Sequence, residues 1–415
     1  MKITKVRTVL CSAPHRDEHM PARTMRSAAY IVLETDTELT GIGETYAGYF
    51  IPEAVPTIVE FFAPILEGAD PLELDILVGR LQLAGKFWSR VGLGSIILSG
   101  VEMALYDLKG KALGVPAYQL LGGRYHESFD CYATGGPSNW PKDKLEAKVA
   151  QYLAVGFPAV KLGGGISEPG HPIYRGRTAK EAADIEVTKV DWLCEQFGKG
   201  FRLMLDGHMD NMTERDHVWD LPMAAYVMEA LADYPIEFFE EPLAYTDKSA
   251  YRELRGRTRL AVAGGECLTS LEEWRDWMIE SPFDLAQLDA AFMGGLGTFV
   301  KIAHYCELHG IPVATHSWTS GVGAMGNLHA AMASKATKIV EMAAFHPSDP
   351  RKNTHFFSPL LTDLWVEPPA LKDGRVYLPD TPGLGVRLPE DFINQYPFQP
   401  GTGEFNSVKG KVLST

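Results

Sequence analysis

The feature that most constrains the fold of this chain is an alternation of short apolar runs with amphipathic stretches from Phe129 onward. Such an alternation is typical of strand–helix units arranged around a parallel sheet. The strand-like runs occupy residues 129–133, 159–162, 202–206, 237–240, 260–263, 285–288, 312–315 and 338–341. Eight units are the number that closes a (β/α)₈ barrel of about 250 residues. The sequence therefore predicts an α/β fold built mainly on a TIM barrel.

The first part of the chain follows a different pattern. Strand-like runs at 3–10 and 28–34 precede helical stretches, of which the clearest covers 95–113 and is stopped by Gly114. This order predicts an α+β unit ahead of the barrel. We expect three parts, an α+β capping domain at 1–125, a catalytic barrel at 126–375, and a C-terminal segment at 376–415 that returns to the capping domain.

Composition excludes several classes of function. The formal net charge of −14 argues against nucleic-acid binding, which requires a basic face, although a bound metal could still attract an anionic substrate. Five scattered cysteines without a CxxC pair indicate reduced thiols and a cytoplasmic protein. Neither a signal-peptide core nor a long uncharged apolar run is present, so no membrane span is expected.

Three acidic residues each close or follow one of the strand-like runs. Asp206, Glu240 and Glu266 are separated by 34 and 26 residues, which is about one barrel unit each. The C-terminal ends of barrel strands converge on one mouth, where three carboxylates would repel one another unless a cation neutralised them. Hard oxygen ligands of this kind suit Mg²⁺. The spacing therefore predicts a catalytic magnesium site.

A histidine and an aspartate end two later strands at matching positions. Asp289 closes the run at 285–288, and His316 follows 27 residues later at the end of the next strand. A carboxylate beside an imidazole orients the ring and favours its protonated form. We interpret the pair as an acid–base dyad, the alternative being a histidine at a helix N-cap or in the barrel lining.

Three further residues are expected at the mouth. His208 lies two residues after Asp206, and because residues i and i+2 of an extended chain face the same way, it is predicted to be a second acid–base group, or else a loop histidine. Lys161 ends the second strand, where its ammonium group is placed to hold a substrate carboxylate unless it is merely solvated. Glu341 ends the eighth strand and is expected to hydrogen-bond the same carboxylate when protonated.

Together these residues resemble the mandelate racemase-like group of the enolase superfamily. The resemblance rests on Val101-Glu-Met-Ala-Leu-Tyr-Asp-Leu-Lys-Gly-Lys, Ala159-Val-Lys, Phe238-Phe-Glu-Glu-Pro and Gly264-Gly-Glu, together with the ordered acids and dyad. It implies a modified (β/α)₈ barrel under an N-terminal capping domain that the C-terminal segment completes. It also implies Mg²⁺ as cofactor, a homo-oligomer, and removal of the proton α to a carboxylate through a metal-stabilised enediolate.

One position departs from the racemase pattern. Racemases and cycloisomerases of this group usually carry Lys-x-Lys on the second strand, whereas Gly163 stands here in place of the second lysine. The combination with His208 and the dyad instead resembles the acid-sugar dehydratases, particularly the galactonate type, which convert a sugar acid to a 2-keto-3-deoxy acid. The sequence does not show which histidine is the base and which is the acid. By analogy with those dehydratases, we interpret His208 as the base and His316 as the acid.

Substrate choice is expected to come from loops of the capping domain. Candidate substrate-binding residues are His15, Arg16, His19, Arg23, Tyr46 and Tyr49, whose polar character suits a hydroxylated substrate better than an aromatic one. The leading hypothesis is thus a Mg²⁺-dependent lyase that dehydrates an aldonate or aldarate. The alternatives are a racemase, epimerase or sugar-lactone cycloisomerase on the same scaffold, and a non-catalytic carboxylate-binding protein, against which the intact acids and dyad argue.

Overall fold

The computed structural model describes most of the chain. The described residues are 1–15, 25–134, 142–166, 174–198, 200–209, 218–280, 282–343 and 358–403. Of the predicted substrate-binding residues, Arg16, His19 and Arg23 lie outside them. Within these ranges, no helix is both long enough and apolar enough to cross a membrane.

The N-terminal part is a three-stranded antiparallel sheet packed on helices, in the order β1-β2-β3. Its strands are β1 (Ile3–Pro14), β2 (Met25–Thr35) and β3 (Thr40–Thr45), and its helices are α1 (Ala47–Phe50), α2 (Val55–Leu66), α3 (Leu74–Gly85), α4 (Leu93–Leu113) and α5 (Ala117–Leu120). Helix α4 ends where the sequence predicts, with Gly114 in the left-handed conformation at φ 68°.

Strand β3 was not predicted, because its glycines weaken the strand pattern. Gly41 and Gly43 let β3 approach helix α4 backbone to backbone. A Cβ atom at Gly41 would lie 2.3 Å from the carbonyl oxygen of Ala104, and one at Gly43 would lie 2.1 Å from that of Gly100. The two glycines are therefore required by close packing rather than by a turn.

The second part is a closed barrel of eight parallel strands. Its strands are β4 (Phe129–Thr134), β5 (Ala159–Gly163), β6 (Arg202–Asp206), β7 (Ile236–Glu240), β8 (Val262–Gly264), β9 (Leu285–Leu288), β10 (Val313–Thr315) and β11 (Thr337–Ala343). Each strand pairs with its neighbour in the chain, and β11 pairs with β4 to close the ring. The predicted α/β barrel beneath a capping sheet is confirmed.

Helices alternate with these strands. They are α6 (Lys142–Val155), α7 (Ala179–Phe197), α8 (Leu221–Ala230), α9 (Lys248–Arg255), α10 (Leu271–Met278), α11 (Leu296–Leu308), α12 (Gly321–Met332) and α13 (Pro359–Thr362). Several begin with a side-chain cap; for example, Asp220 accepts a hydrogen bond from the backbone N–H of Met223 at the start of α8. Such caps fix where each helix begins relative to the barrel mouth.

After the barrel, the chain contacts both parts of the molecule. A hairpin of β12 (Ala370–Lys372) and β13 (Arg375–Tyr377) pairs antiparallel with β4, and α14 (Glu390–Gln395) follows. The backbone N–H of Leu384 donates a hydrogen bond to the side chain of Asp107 on α4. The backbone of Cys11 in β1 pairs with that of Pro397 in an isolated antiparallel β-bridge. The domain boundaries at residues 125 and 375 themselves stay a prediction.

Two buried glutamates of the N-terminal part contact the first turns of two barrel helices. Glu44 on β3 accepts hydrogen bonds from the backbone N–H groups of Ser320 (2.8 Å) and Gly323 (2.7 Å) at the start of α12. Glu102 on α4 accepts one from Gly297 (3.2 Å) at the start of α11. Their carboxyl oxygens satisfy the otherwise unpaired N–H groups at the two helix N-termini, so these contacts dock the cap onto the barrel.

Glu102 makes this docking dependent on pH. Burial raises the pKa of Glu102 to about 8, although the hydrogen bond from Gly297 opposes the shift. Because the pKa of Glu102 is higher in the folded than in the unfolded protein, the folded state favours the protonated carboxyl group. The contribution of Glu102 to the free energy of unfolding is therefore fully present below the unfolded pKa and is lost as pH rises through about 8.

We therefore expect the melting temperature to fall between pH 5.5 and pH 8.5 more steeply in the wild-type protein than in Glu102→Gln, which keeps an uncharged acceptor at every pH. At about 1.36 kcal/mol per pKa unit, the difference amounts to a few kcal/mol. Differential scanning fluorimetry across that range measures it, with exposed Glu272→Gln as the matched control. Parallel slopes for Glu102→Gln and the wild-type protein would contradict the prediction.

Candidate active site

The interior of the barrel has an apolar floor beneath a polar layer. One residue from each strand forms the floor, namely Tyr132, Ala159, Met204, Phe238, Ala263, Leu285, Ala314 and Ile339. Because side chains alternate along a strand, the residue two positions further on also faces inward. Five predicted site residues, Lys161, Asp206, Glu240, His316 and Glu341, lie two positions after a member of the floor. This spacing brings them together at the mouth.

Lys161 lies at the centre of the polar layer. Its Nζ atom is 2.6 Å from Glu240 Oε2, 3.1 Å from Asp206 Oδ2 and 3.3 Å from Glu341 Oε1. Burial by itself lowers the pKa of this lysine, but the three carboxylates raise it well above its usual value. Lys161 is therefore a buried cation that neutralises the acids, and its expected contact with a substrate carboxylate stays a prediction.

The three predicted metal ligands lie at the ends of three neighbouring strands. Asp206 and Glu240 are register partners on β6 and β7, and Glu266 follows β8. Burial raises the pKa of Glu240, and the neighbouring carboxylates of Asp206 and Glu266 raise it further, against the effect of Lys161. Burial also disfavours the charged form of Asp206, but His208 and Lys161 hold its pKa below the usual value.

This arrangement fits a hard cation. Glu240 is fully buried, and its Oε1 atom has no hydrogen-bond partner among the described residues. A buried carboxylate oxygen without a partner is costly, and a metal ion bound by this oxygen would remove the cost. Three carboxylates form an oxygen-only donor set, which suits Mg²⁺.

Among the described residues, the ligand atoms that lie closest together form a different set, which shares only Glu266 with the predicted one. One ligand atom from each of Glu241, Glu266 and Cys267 falls within 4.8 Å of the others, and Cys267 Sγ is 3.5 Å from Glu241 Oε1. Glu241 was not predicted as a ligand, although two adjacent glutamates precede Pro242 in the sequence. A thiolate in the set would favour a softer ion than Mg²⁺.

The Asp289–His316 dyad forms as predicted from the spacing. His316 Nδ1 lies 2.8 Å from Asp289 Oδ2, and His316 Nε2 lies 3.2 Å from Glu266 Oε2. Burial lowers the pKa of His316, but the carboxylates of Glu266 and Asp289 raise it to about 10. Asn327 of α12 donates to both Asp289 Oδ1 and the carbonyl oxygen of His316, each at 3.0 Å. No pattern in the sequence pointed to Asn327.

His208 reaches the mouth for a different reason from the one predicted. Strand β6 ends at Asp206, and His208 adopts a left-handed conformation with φ 48°, so the rule for an extended chain does not apply. The turn brings His208 Nε2 to 3.1 Å from Asp206 Oδ2 and its backbone N–H to 3.1 Å from Oδ1 of the same carboxylate. Its side chain is 41% exposed, toward solvent at the mouth.

Glu341 lies between Lys161 and the loop after β10. Its Oε2 atom accepts a 2.7 Å hydrogen bond from the backbone N–H of Ser317, and Oε1 faces Lys161. Burial would raise the pKa of Glu341, but Lys161 and His316 lower it below the usual value. These contacts favour the charged form of Glu341. Its predicted hydrogen bond to a substrate carboxylate stays a prediction.

The capping domain covers the His316 side of the mouth with two tyrosine rings, Tyr46 and Tyr49, which we call the aromatic wall. The ring centroid of Tyr46 lies 5.8 Å from that of His316, and both side chains are buried. Tyr49 lies beside Tyr46 and accepts a 3.1 Å hydrogen bond from Trp318 Nε1. His15 follows β1 and is also buried.

Arg26 supports the aromatic wall and was not predicted from the sequence, although it is a charged residue within an otherwise uncharged run. It lies 4.6 Å from the centroid of the Tyr49 ring and donates to the carbonyl oxygens of Trp318 and Thr319. The guanidinium group thus ties the capping domain to the loop after His316. Because Arg26 contacts Tyr49, and Tyr49 stacks on Tyr46, it also supports the aromatic wall.

Both parts of the chain match known families. Residues 3–122 match the mandelate racemase / muconate lactonizing enzyme N-terminal domain, and residues 144–392 match the enolase C-terminal domain-like family. The chain belongs to the enolase superfamily. In this chain, the acids and the dyad lie at or just after the ends of barrel strands.

Proteins similar to this chain include a sugar-lactone cycloisomerase and sugar acid dehydratases. The D-galactarolactone cycloisomerase of Agrobacterium fabrum is 29% identical over 95% of this chain and 99% of its own length. The D-galactonate dehydratase of Pectobacterium atrosepticum is 28% identical over 95% of this chain and 94% of its own. A crystal structure of L-talarate dehydratase from Polaromonas sp. JS666, complexed with Mg and L-glucarate, gives a TM-score of 0.77 at 26% identity, covering 95% of this chain and 97% of that one.

Proposed function

We propose that the protein is a Mg²⁺-dependent dehydratase that converts an aldonate or aldarate to a 2-keto-3-deoxy acid. The observation that carries this proposal is the placement of two histidines around the acidic centre. His208 follows β6 and His316 follows β10. These strands are four positions apart in a closed ring of eight, so they lie on opposite sides of the barrel. A substrate held at the axis would have one histidine on each face.

The carboxylates and the lysine would hold the substrate for this reaction. Asp206, Glu240 and Glu266 would bind Mg²⁺, and Lys161 would contact the substrate carboxylate. When bound, the ion supplies stabilisation of the negative charge that develops on that carboxylate. The aromatic wall around Tyr46 would exclude water from the His316 face.

The two histidines would divide the proton transfers between them. One accepts the proton from the α-carbon as the C–H bond breaks, and the other donates a proton to the β-hydroxyl group as the C–O bond breaks and water leaves. The enol that results takes up a proton at C3 and becomes the 2-keto-3-deoxy acid. Substrate carbon skeleton and stereochemistry would be set by the capping domain.

A second candidate is a sugar-lactone cycloisomerase, because one of the similar proteins has that activity at 29% identity. Purified protein with Mg²⁺ should be screened against a library of sugar acids and their lactones, with detection of 2-keto acids and of substrate consumption. Formation of a 2-keto-3-deoxy acid supports the dehydratase. Consumption of a lactone without loss of water supports the cycloisomerase, and no turnover at all would contradict both. A homo-oligomer and a cytoplasmic location also stay predictions.

Replacement of His208 by asparagine tests the two-histidine arrangement. Because general acid–base groups typically contribute 10²–10⁴-fold, we expect dehydration to slow by about 10²-fold or more. Steady-state kinetics on the substrate found in the screen measures the change, with exposed His304→Asn on α11 as the matched control. Wild-type turnover in His208→Asn would show that a single histidine serves both steps.

A further inference from the structure

A buried arginine lies behind the His208 side of the mouth, and the reaction described above does not use it. Arg175 is 2% exposed and precedes α7. Its Nη1 group donates a hydrogen bond to the carbonyl oxygen of Gly207. Because burial of a guanidinium group is costly, its position calls for a compensating role.

Gly207 is the residue between the predicted metal ligand Asp206 and the predicted acid–base group His208. Its backbone N–H donates to the carbonyl oxygen of Glu240 at 2.7 Å, and a Cβ atom here would lie 2.4 Å from the carbonyl oxygen of Glu241. The chain is therefore pressed against the end of β7. His208 then adopts its left-handed conformation, which costs a residue with a side chain about 1 kcal/mol or more. Contacts from the surrounding structure must hold this turn.

The same region contains two more buried charges, both on α7. Lys189 Nζ donates to the carbonyl oxygens of Gly163 (2.8 Å) and Gly165 (3.1 Å) and lies 2.7 Å from Glu186 Oε2. Glu186 also accepts a hydrogen bond from the backbone N–H of Gly165. These contacts fix the chain that leaves β5.

The chain after β5 and the turn after β6 are joined directly. The backbone N–H of Gly164 donates to the carbonyl oxygen of Asp206 at 2.6 Å. Arg175 is attracted electrostatically to Glu186 and to Asp206. The buried charges therefore form one support beneath the ends of both strands, and Arg175 is the member that contacts the turn carrying His208.

We propose that Arg175 is a positioning residue that holds the Gly207 carbonyl so that the His208 imidazole stays aligned for proton transfer. Its guanidinium group is buried and donates to the backbone of the turn, so it would act through His208 and not on the substrate directly. Its loss should therefore affect the rate of the chemical step more than the binding of substrate. The kinetic test of this inference rests on the proposed dehydratase function. A second test, by amide hydrogen exchange, does not depend on it.

The kinetic test is the Arg175→Ala variant with and without added guanidinium ion. Displacement of a catalytic group by about 1 Å can cost 10²-fold, so we expect kcat to fall by about that factor with KM unchanged. Millimolar guanidinium, which fits the space left by the side chain, should restore much of kcat. Urea has the same shape without the charge and should not. Arg177→Ala removes an exposed arginine two residues along the chain and is the matched control.

Amide hydrogen exchange gives a readout that needs no substrate. Peptides that cover residues 203–209 should exchange faster in Arg175→Ala, and guanidinium should slow them again, whereas peptides from α12 should not change. If the alanine variant does not fold, Arg175→Lys can be used instead. It keeps the positive charge without the planar guanidinium group, so hydrogen exchange at residues 203–209 should increase by a smaller amount.

The outcomes separate the two proposals. Unchanged kcat together with a lower melting temperature would assign Arg175 a purely structural role and overturn the inference. Unchanged exchange at residues 203–209 would overturn it as well. If the wild-type protein turns over no sugar acid, the proposed function fails, while the exchange result still decides whether Arg175 holds the turn.

Discussion

Replacing His316 with asparagine is expected to lower turnover by about 10²–10⁴-fold, the range that a positioned acid–base group typically contributes. His316 is buried between the carboxylates of Asp289 and Glu266 and forms one side of the mouth. Asparagine can still hydrogen-bond Asp289, but it cannot transfer a proton. Mg²⁺ binding should survive, because the three predicted ligands remain. Steady-state kinetics and calorimetric titration of Mg²⁺ measure the two properties separately.

The His316 and His208 variants together assign the two proton transfers. In D₂O, a variant that has lost only the acid should still exchange the α-proton of unreacted substrate, whereas a variant that has lost the base should not. Exchange in one variant and none in the other is the expected pattern. Turnover of His316→Asn close to that of His304→Asn would remove the dyad from the mechanism. Survival of all ligand-dependent behaviour in His316→Asn would favour a carboxylate-binding protein without catalysis.

The second large effect is expected for Glu240→Gln. Glu240 is buried at the end of β7, and its Oε1 atom lacks a partner among the described residues. An amide oxygen there is a weaker ligand for a hard cation than a carboxylate. Affinity for Mg²⁺ should therefore fall by at least the roughly 10–100-fold that loss of an outer-shell partner costs, and turnover should fall with it. Titration of EDTA-treated protein with Mg²⁺ measures the affinity.

Glu241→Gln is the matched control, since it makes the same change at the next residue. Our assignment predicts that Mg²⁺ affinity is kept in Glu241→Gln and reduced in Glu240→Gln. The reverse result would move the metal to the neighbouring set of Glu241, Glu266 and Cys267. The melting temperature of each metal-free variant shows whether the protein is still folded.

Much of the barrel could be predicted because its sequence signals are local. Each barrel strand is a short apolar run, and the site residues on several strands lie two positions after a member of the apolar floor. Convergence of Asp206, Glu240 and His316 follows from strand alternation and barrel closure alone. The register that places Asp206 beside Glu240 follows in the same way.

The remaining features depend on contacts between distant parts of the chain. Glu44 and Glu102 look like ordinary polar residues until the start of α12 or α11 lies next to them. The Gly207–His208 turn is produced by the packing of Gly207 against the end of β7, so the extended-chain argument for His208 failed. The direct ion pair between Lys161 and Glu341 was also not predicted, because it joins the second and the eighth strands of the barrel.

The central claim is dehydration by a metal-dependent two-histidine site, and the most direct test is the product formed in D₂O. The protein, loaded with Mg²⁺, would be incubated with the sugar acid that the screen identifies, and the product analysed by mass spectrometry and proton NMR. The account predicts loss of one water and a single deuterium at C3 of a 2-keto-3-deoxy acid. Deuterium at C2 with no loss of water would contradict it and show that the protein is an isomerase.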